Sequence, residues 1–122
     1  MTFRQFQSSG VTAEVNVQPN DGYMWYLIKS YLEIDSSATA GTRTLVLKWR
    51  DYEAAEDFQD LLTVSGTTVS GVINGQLSSI QGATSLKYGD FVVFSREGFR
   101  ISPTLVSGDT FLYRITVLEV PA

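Results

Sequence analysis

The sequence predicts an all-β domain, an antiparallel β-sandwich of jelly-roll type with at most one short helix, near residues 52–61. Three observations carry that expectation. Apolar and polar residues alternate along 11–18, 43–50 and 110–120, the period-two mark of half-buried strands. Turn-forming clusters such as Pro19-Asn20-Asp21-Gly22 and Asn74-Gly75 interrupt those runs at short intervals. With 122 residues, 43% apolar and 18% charged, the chain has enough apolar side chains for one core and too few residues for two domains.

Residues 1–10 show no periodicity, and Ser8-Ser9-Gly10 reads as a hinge. The expected plan is therefore an N-terminal arm, 1–10, followed by a single sandwich domain, 11–122. Phe3, Arg4 and Phe6 are the candidate interaction residues of that arm. Two readings stand for its phenylalanines: they tuck onto the domain's own surface, or they pack on a neighbouring subunit.

Val11, Ala13, Val15 and Val17 alternate with Thr12, Glu14, Asn16 and Gln18, which predicts a strand over 11–18. From Gly22 to Asp51, two runs rich in aromatic and β-branched residues flank a short polar connection. That pattern predicts two long antiparallel strands joined by a turn. The first, Tyr23–Asp35, also fits a helical period through Met24, Leu27, Ile28, Tyr31 and Leu32, but its aromatic content favours strand. Its apolar residues occupy both faces, so one face needs a cover. In the second, Leu45, Leu47 and Trp49 face one way and are expected in the core with Ile115 and Val117.

Asp51 to Leu62 is the one helix-compatible piece, with Ala54, Phe58, Leu61 and Leu62 on one face and Asp51 as a cap. Further on, Asn74-Gly75 between short apolar pairs predicts a tight hairpin. Tyr88-Gly89-Asp90 predicts a turn before a short apolar strand, Phe91–Ser95. Pro103 restricts the run from Phe99 to Leu105 to an edge or a bulge. Thr110–Val120 closes the chain as a long strand.

Composition narrows the chemistry. The chain has no cysteine and no histidine, which removes thiolate nucleophiles, zinc–thiolate sites, the commonest general base and the commonest transition-metal ligand. A net charge of −4 with nine scattered basic residues gives no footprint for nucleic acid. No stretch has the length of a membrane span or the apolar core of a signal peptide, so folding in a cytosol is expected. Asp51, Glu53, Glu56, Asp57 and Asp60 form a dense acidic cluster, but without the glycine turn of a calcium loop they read as a solvated face. No pair among the thirteen acids stands out for general acid–base work. No catalytic, cofactor-binding or metal residue is assigned, and no enzyme is expected. Trp25, Tyr26, Tyr31, Trp49, Tyr52 and Tyr113 would stack sugars if they lined an exposed face, or fill a core or subunit interface.

Four stretches carry a family resemblance. They are Gly22-Tyr23-x-Trp25, Ser37–Thr44 (SATAGTRT), Ser85–Asp90 (SLKYGD) and Ser107–Glu119 (SGDTFLYRITVLE). In this order they resemble small jelly-roll virion proteins of tailed bacteriophages, over residues 22–120. The resemblance is one of pattern, and the acidic piece at 51–62 stands where it would place a looser loop. It implies a structural protein of the virion, made in the host cytoplasm and bound to the major capsid protein or another virion protein. The usual role would be capsid decoration or cement. It implies no cofactor and no catalytic residues. A glycan- or host-surface-binding module, or a neck or tail component, are the alternatives. The excess apolar surface of 23–28 and of the arm predicts a homo-oligomer, and virion symmetry makes a trimer the expectation.

Overall fold

Among the described residues, nine strands build two antiparallel sheets that face each other across one core. The computed structural model describes residues 2–78 and 92–122. The strands are β1 (Thr2–Val11), β2 (Val15–Val17), β3 (Tyr23–Asp35), β4 (Arg43–Asp51), β5 (Glu56–Gly66), β6 (Val72–Ser78), β7 (Val92–Phe94), β8 (Glu97–Thr104) and β9 (Thr110–Pro121). One sheet has the order β1-β9-β3-β6, with β7 also paired to β3, and the other has the order β2-β8-β4-β5. Among the described residues there is no helix. Among the described residues, only β4 and β5 form a hairpin within a sheet, and most other connections cross between sheets. The chain is thus the jelly-roll-like β-sandwich that the alternation predicts.

The inward faces meet in a core of Trp25, Leu27, Leu32, Ile34, Phe111, Ile115 and Val117 from one sheet and Leu45, Leu47, Phe99 and Ile101 from the other. Trp25 and Phe99 stack across the gap, their ring centroids 6.3 Å apart. The double-faced pattern of β3 has a specific cause. Its register with β9 slips between Leu27 and Lys29, so Ile28 is an extra residue and the inward set changes from Trp25 and Leu27 to Leu32 and Ile34. One bulge thereby moves the buried positions from odd to even numbers.

Several expectations are corrected. The stretch 22–51 holds two long strands, but they belong to different sheets, and 36–42 is a crossing rather than a hairpin turn. The strand expected over 11–18 is shorter. Val11 ends β1 in one sheet and β2 starts at Val15 in the other, because the chain changes sheet between them.

The helix-compatible piece 51–62 is a turn and a strand. Asp51 Oδ1 accepts the N–H groups of Glu53 and Ala54, at 2.9 and 3.0 Å, and Ala55 at φ 57° reverses the chain into β5. Two register slips against β4 leave Phe58 and Leu61 as extra residues, and these bulges imitate the three-and-four spacing of a helix. Strand pairing also brings Asp57 to Arg50 (2.8 Å), Lys48 (3.6 Å) and Arg100 (3.7 Å), cations that a helix over 51–62 would lack along its own length.

Asn74-Gly75 is not a hairpin turn but lies inside β6, opposite Glu33 and Leu32. Glycine is required there because a Cβ would stand 2.8 Å from Val64 Cγ2 of the facing sheet. Trp49 is half-buried, packed edge-on against Phe58 at 4.9 Å, whereas Leu45, Leu47, Ile115 and Val117 are fully buried as expected. Pro103 sits beyond the end of β2, where that side of β8 has no paired strand among the described residues. The expected turn at 88–90, and Phe91, lie outside the described residues.

At one end of the sandwich two crossings are tied together. Arg43 Nε donates to Asp109 Oδ2 at 2.8 Å and Nη2 to Oδ1 at 3.2 Å, with both side chains fully buried. The guanidinium also donates to the carbonyls of Ser37, Thr39 and Gly41. The carboxylate accepts the N–H of Ser37 at 2.8 Å and of Val106 at 2.9 Å. Gly108, at φ 88°, allows the close approach, since a Cβ would lie 3.0 Å from that of Ser37. Burial is the largest influence on Asp109 and acts to raise its pKa. The Arg43 bond and the backbone N–H bonds outweigh it, so the pKa lies well below the usual carboxylate range.

Two predictions follow from this packing. Phe99→Ala should cost about 3–5 kcal/mol in urea unfolding, and Trp49→Ala, being half-buried, about half of that. Asp109→Asn should cost about 3–5 kcal/mol at neutral pH, because it leaves the Arg43 charge buried without a counter-charge. A depressed carboxylate contributes its stability above the unfolded-state pKa of about 3.9. That contribution is lost as pH falls further through the folded-state value. The native chain should therefore lose stability below about pH 4 more steeply than Asp109→Asn, as read from urea midpoints across the acid range.

Candidate interaction surface

The two sheets differ in what they show to solvent. On the outside of the β2-β8-β4-β5 sheet, Lys48, Arg50 and Arg100 surround Asp57, and Arg100 also pairs with Glu14. The Tyr52 hydroxyl lies 2.7 Å from Asn16 Oδ1 and 2.9 Å from the carbonyl of Phe99, and burial pushes its pKa up to about 12. That face is polar and mutually paired.

The outside of the other sheet is apolar at one end. Register places Leu118 opposite Tyr26 on one side and Phe3 on the other, and Val120 opposite Met24. Ile28, carried outward by the bulge, joins Leu118 and Val120 in a second apolar cluster, all three buried, with Met24 and Tyr26 half-buried against it. Phe94 of β7 sits opposite Met24 and is 52% exposed. Phe3, at 67%, is still more exposed. Toward the other end the same face turns acidic, where the Tyr31 hydroxyl donates to Glu33 Oε1 at 2.7 Å. Burial, then the Glu33 carboxylate, raises the pKa of Asp35.

The three candidate residues of the arm lie in a strand. Residues 2–11 form β1, an edge strand along β9. Arg4 Nη1 donates to Glu119 Oε1 at 3.0 Å, and the same oxygen accepts Trp25 Nε1 at 3.0 Å. The Trp25 bond first, then Arg4, holds the pKa of Glu119 low against the opposing effect of burial. Phe6 packs on Trp25, with ring centroids 5.0 Å apart. Of the three, only Phe3 stands mainly in solvent. The alternation in β1 was concealed because the inward position next to Phe6 holds an arginine whose partner is 115 residues away.

Leu118, Val120 and Phe94 were not singled out in the sequence. The available signal was apolar residues on both faces of the closing strand at Val117, Leu118 and Val120. Among the described residues, no three acidic, histidine or cysteine side chains converge as metal ligands do.

No family model matches the chain, and no curated protein matches it. Among solved structures, Eiger TNF from S. frugiperda is similar at a TM-score of 0.37 and 10% identity, over 88% of this chain and 67% of that one. An overlap at that level carries no functional argument.

The placement of β1 predicts how truncation behaves. Deleting residues 2–10 should lower the melting temperature by several degrees, because it bares the edge of β9 and strips Phe6 and Arg4 from Trp25 and Glu119. Phe6→Ala should cost about 2 kcal/mol, and Phe3→Ser should stay within about 0.5 kcal/mol, both measured by urea unfolding.

Proposed function

We propose that this chain is a non-enzymatic structural protein of a tailed-phage virion, a decoration or cement protein that binds the capsid surface and stabilises the head. The observation that carries the reading is the apolar end of the β1-β9-β3-β6 sheet. There Phe3 and Phe94 stand in solvent beside a cluster in which Ile28, Leu118 and Val120 are buried and Met24 and Tyr26 half-buried. A sheet apolar on both faces at one end suits a lasting protein contact. The sequence resemblance supplies the kind of partner, the major capsid protein or another virion protein. Sibling chains, in the trimer that virion symmetry favours, would share that face.

Phe94 is exposed enough to change without disturbing the core. Phe94→Asp should therefore melt like the native chain yet lose most of its cosedimentation with empty capsids of the phage that encodes it. Binding to a glycan array, with no cosedimentation by the native chain, would move the assignment to a host-surface module.

A further inference from the structure

The free edge of β1 matches itself. Each sheet has edges, and both edges of the β2-β8-β4-β5 sheet are unsuited to pairing with another chain. β5 is bulged twice and carries Glu56, Asp57 and Asp60, and β2 is three residues long. Charge, bulges and shortness are the usual protections of an edge. β1 lacks them over Thr2–Ser8, where its register with β9 is unbroken. Its one charge, Arg4, is drawn to Glu119. The backbone groups of alternate residues along that stretch face away from β9, with no strand among the described residues to receive them.

The two ends of this stretch are complementary. At one end Phe3 projects from the outer face, 67% exposed. At the other, where the ladder slips after Ser8, lies a hollow of about 410 Å³ lined by Gln7, Ser8, Ser9, Leu112, Tyr113 and Arg114. We propose that two copies of this chain pair antiparallel along β1 about a two-fold axis at Gln5, so that Phe3 of each copy enters the hollow of the other.

Register and charge select that axis. Gln5 is the centre of the unbroken stretch Thr2–Ser8. About it, Phe3 falls opposite Gln7 of the second copy, and directly opposed residues share a face. Arg4 falls opposite Phe6 of the second copy, repeating the contact it makes within its own chain, where its guanidinium lies 4.9 Å from the Phe6 ring centre. An axis at Arg4 would set the two guanidinium groups against each other, which is unfavourable. The contact is isologous, each half supplying one ring and one hollow. Seven paired residues and two rings bury less than about 1,200 Å², the scale of a weak, concentration-dependent association. It uses the edge of the sheet and takes only Phe3 from the apolar end assigned to the capsid, so Phe94→Asp tests that reading separately.

The chain has no cysteine, so single-cysteine variants give an unambiguous test. Gln5→Cys places two thiols at the axis and should cross-link to a dimer under mild oxidation or with a short bismaleimide. Gln59→Cys on β5 should not. Gln7→Cys alone should cross-link poorly, but mixed with Phe3→Cys it should give the mixed dimer. Adding Phe3→Ser to Gln5→Cys should lower the dimer yield several-fold with melting unchanged. A Gln5→Cys yield no greater than that of Gln59→Cys overturns the proposal. So does equal self-linking of Gln5→Cys and Gln7→Cys, or cross-linking of Gln5→Cys to a capsid protein instead of a second copy.

Discussion

The buried pair of Arg43 and Asp109 is the interaction on which the arrangement of the sheets depends. In this fold consecutive strands mostly sit in opposite sheets, so few hairpins fix one strand against the next. The crossings must do it, and two of them, 36–42 and 105–109, meet at this pair. Burying two charges is expensive, and the attraction between them does little more than offset that cost. What the pair adds is selection of one geometry. The bidentate fork, three carbonyls and two backbone N–H groups are satisfied together only when both loops have their native shape. The bond of Ser36 N–H to the carbonyl of Gly71 ties a third connection to the same region.

The opposite end of the β1-β9-β3-β6 sheet is built on another principle. There the bulge at Ile28 and the apolar tail of β9 put hydrophobic side chains on both faces. The inner set meets the facing sheet, and in the outer set Ile28, Leu118 and Val120 are buried in a cluster with Met24 and Tyr26. Phe6 and Arg4 belong to the inner set through Trp25 and Glu119, which docks β1 along β9. The same contacts that dock residues 2–8 therefore present a preformed surface, so little conformational entropy is lost on binding.

Much of the fold was legible because it is local. Alternation in 43–50 and 110–120 named the inward residues Leu45, Leu47, Ile115 and Val117, and the aromatic content of 23–35 outweighed its helical spacing. What was not legible is non-local. Bulges at Ile28, Phe58 and Leu61 exist only relative to a paired strand, and each one breaks the alternation that sequence reading relies on. Asn74-Gly75 has the composition of a turn, but its glycine answers to Val64 in the other sheet. The candidate surface was half visible. Met24, Tyr26 and Ile28 showed as an excess apolar face, whereas Leu118 and Phe94 join it only through register. Arg43 and Asp109 each sit in a stretch that carried the family resemblance, yet nothing in the sequence showed that those stretches meet.

If the pair fixes the two crossings, the loops it joins must be as hard to open as the core. Amide hydrogen exchange reads this directly at Ser37 and Val106, whose N–H groups donate to Asp109. Both are loop residues outside the ladders, where exchange is ordinarily fast. The account predicts that they exchange only through global unfolding, at the free energy shown by the amides of Leu32 and Ile115. Exchange of Ser37 and Val106 through local opening, well ahead of those core amides, would contradict it.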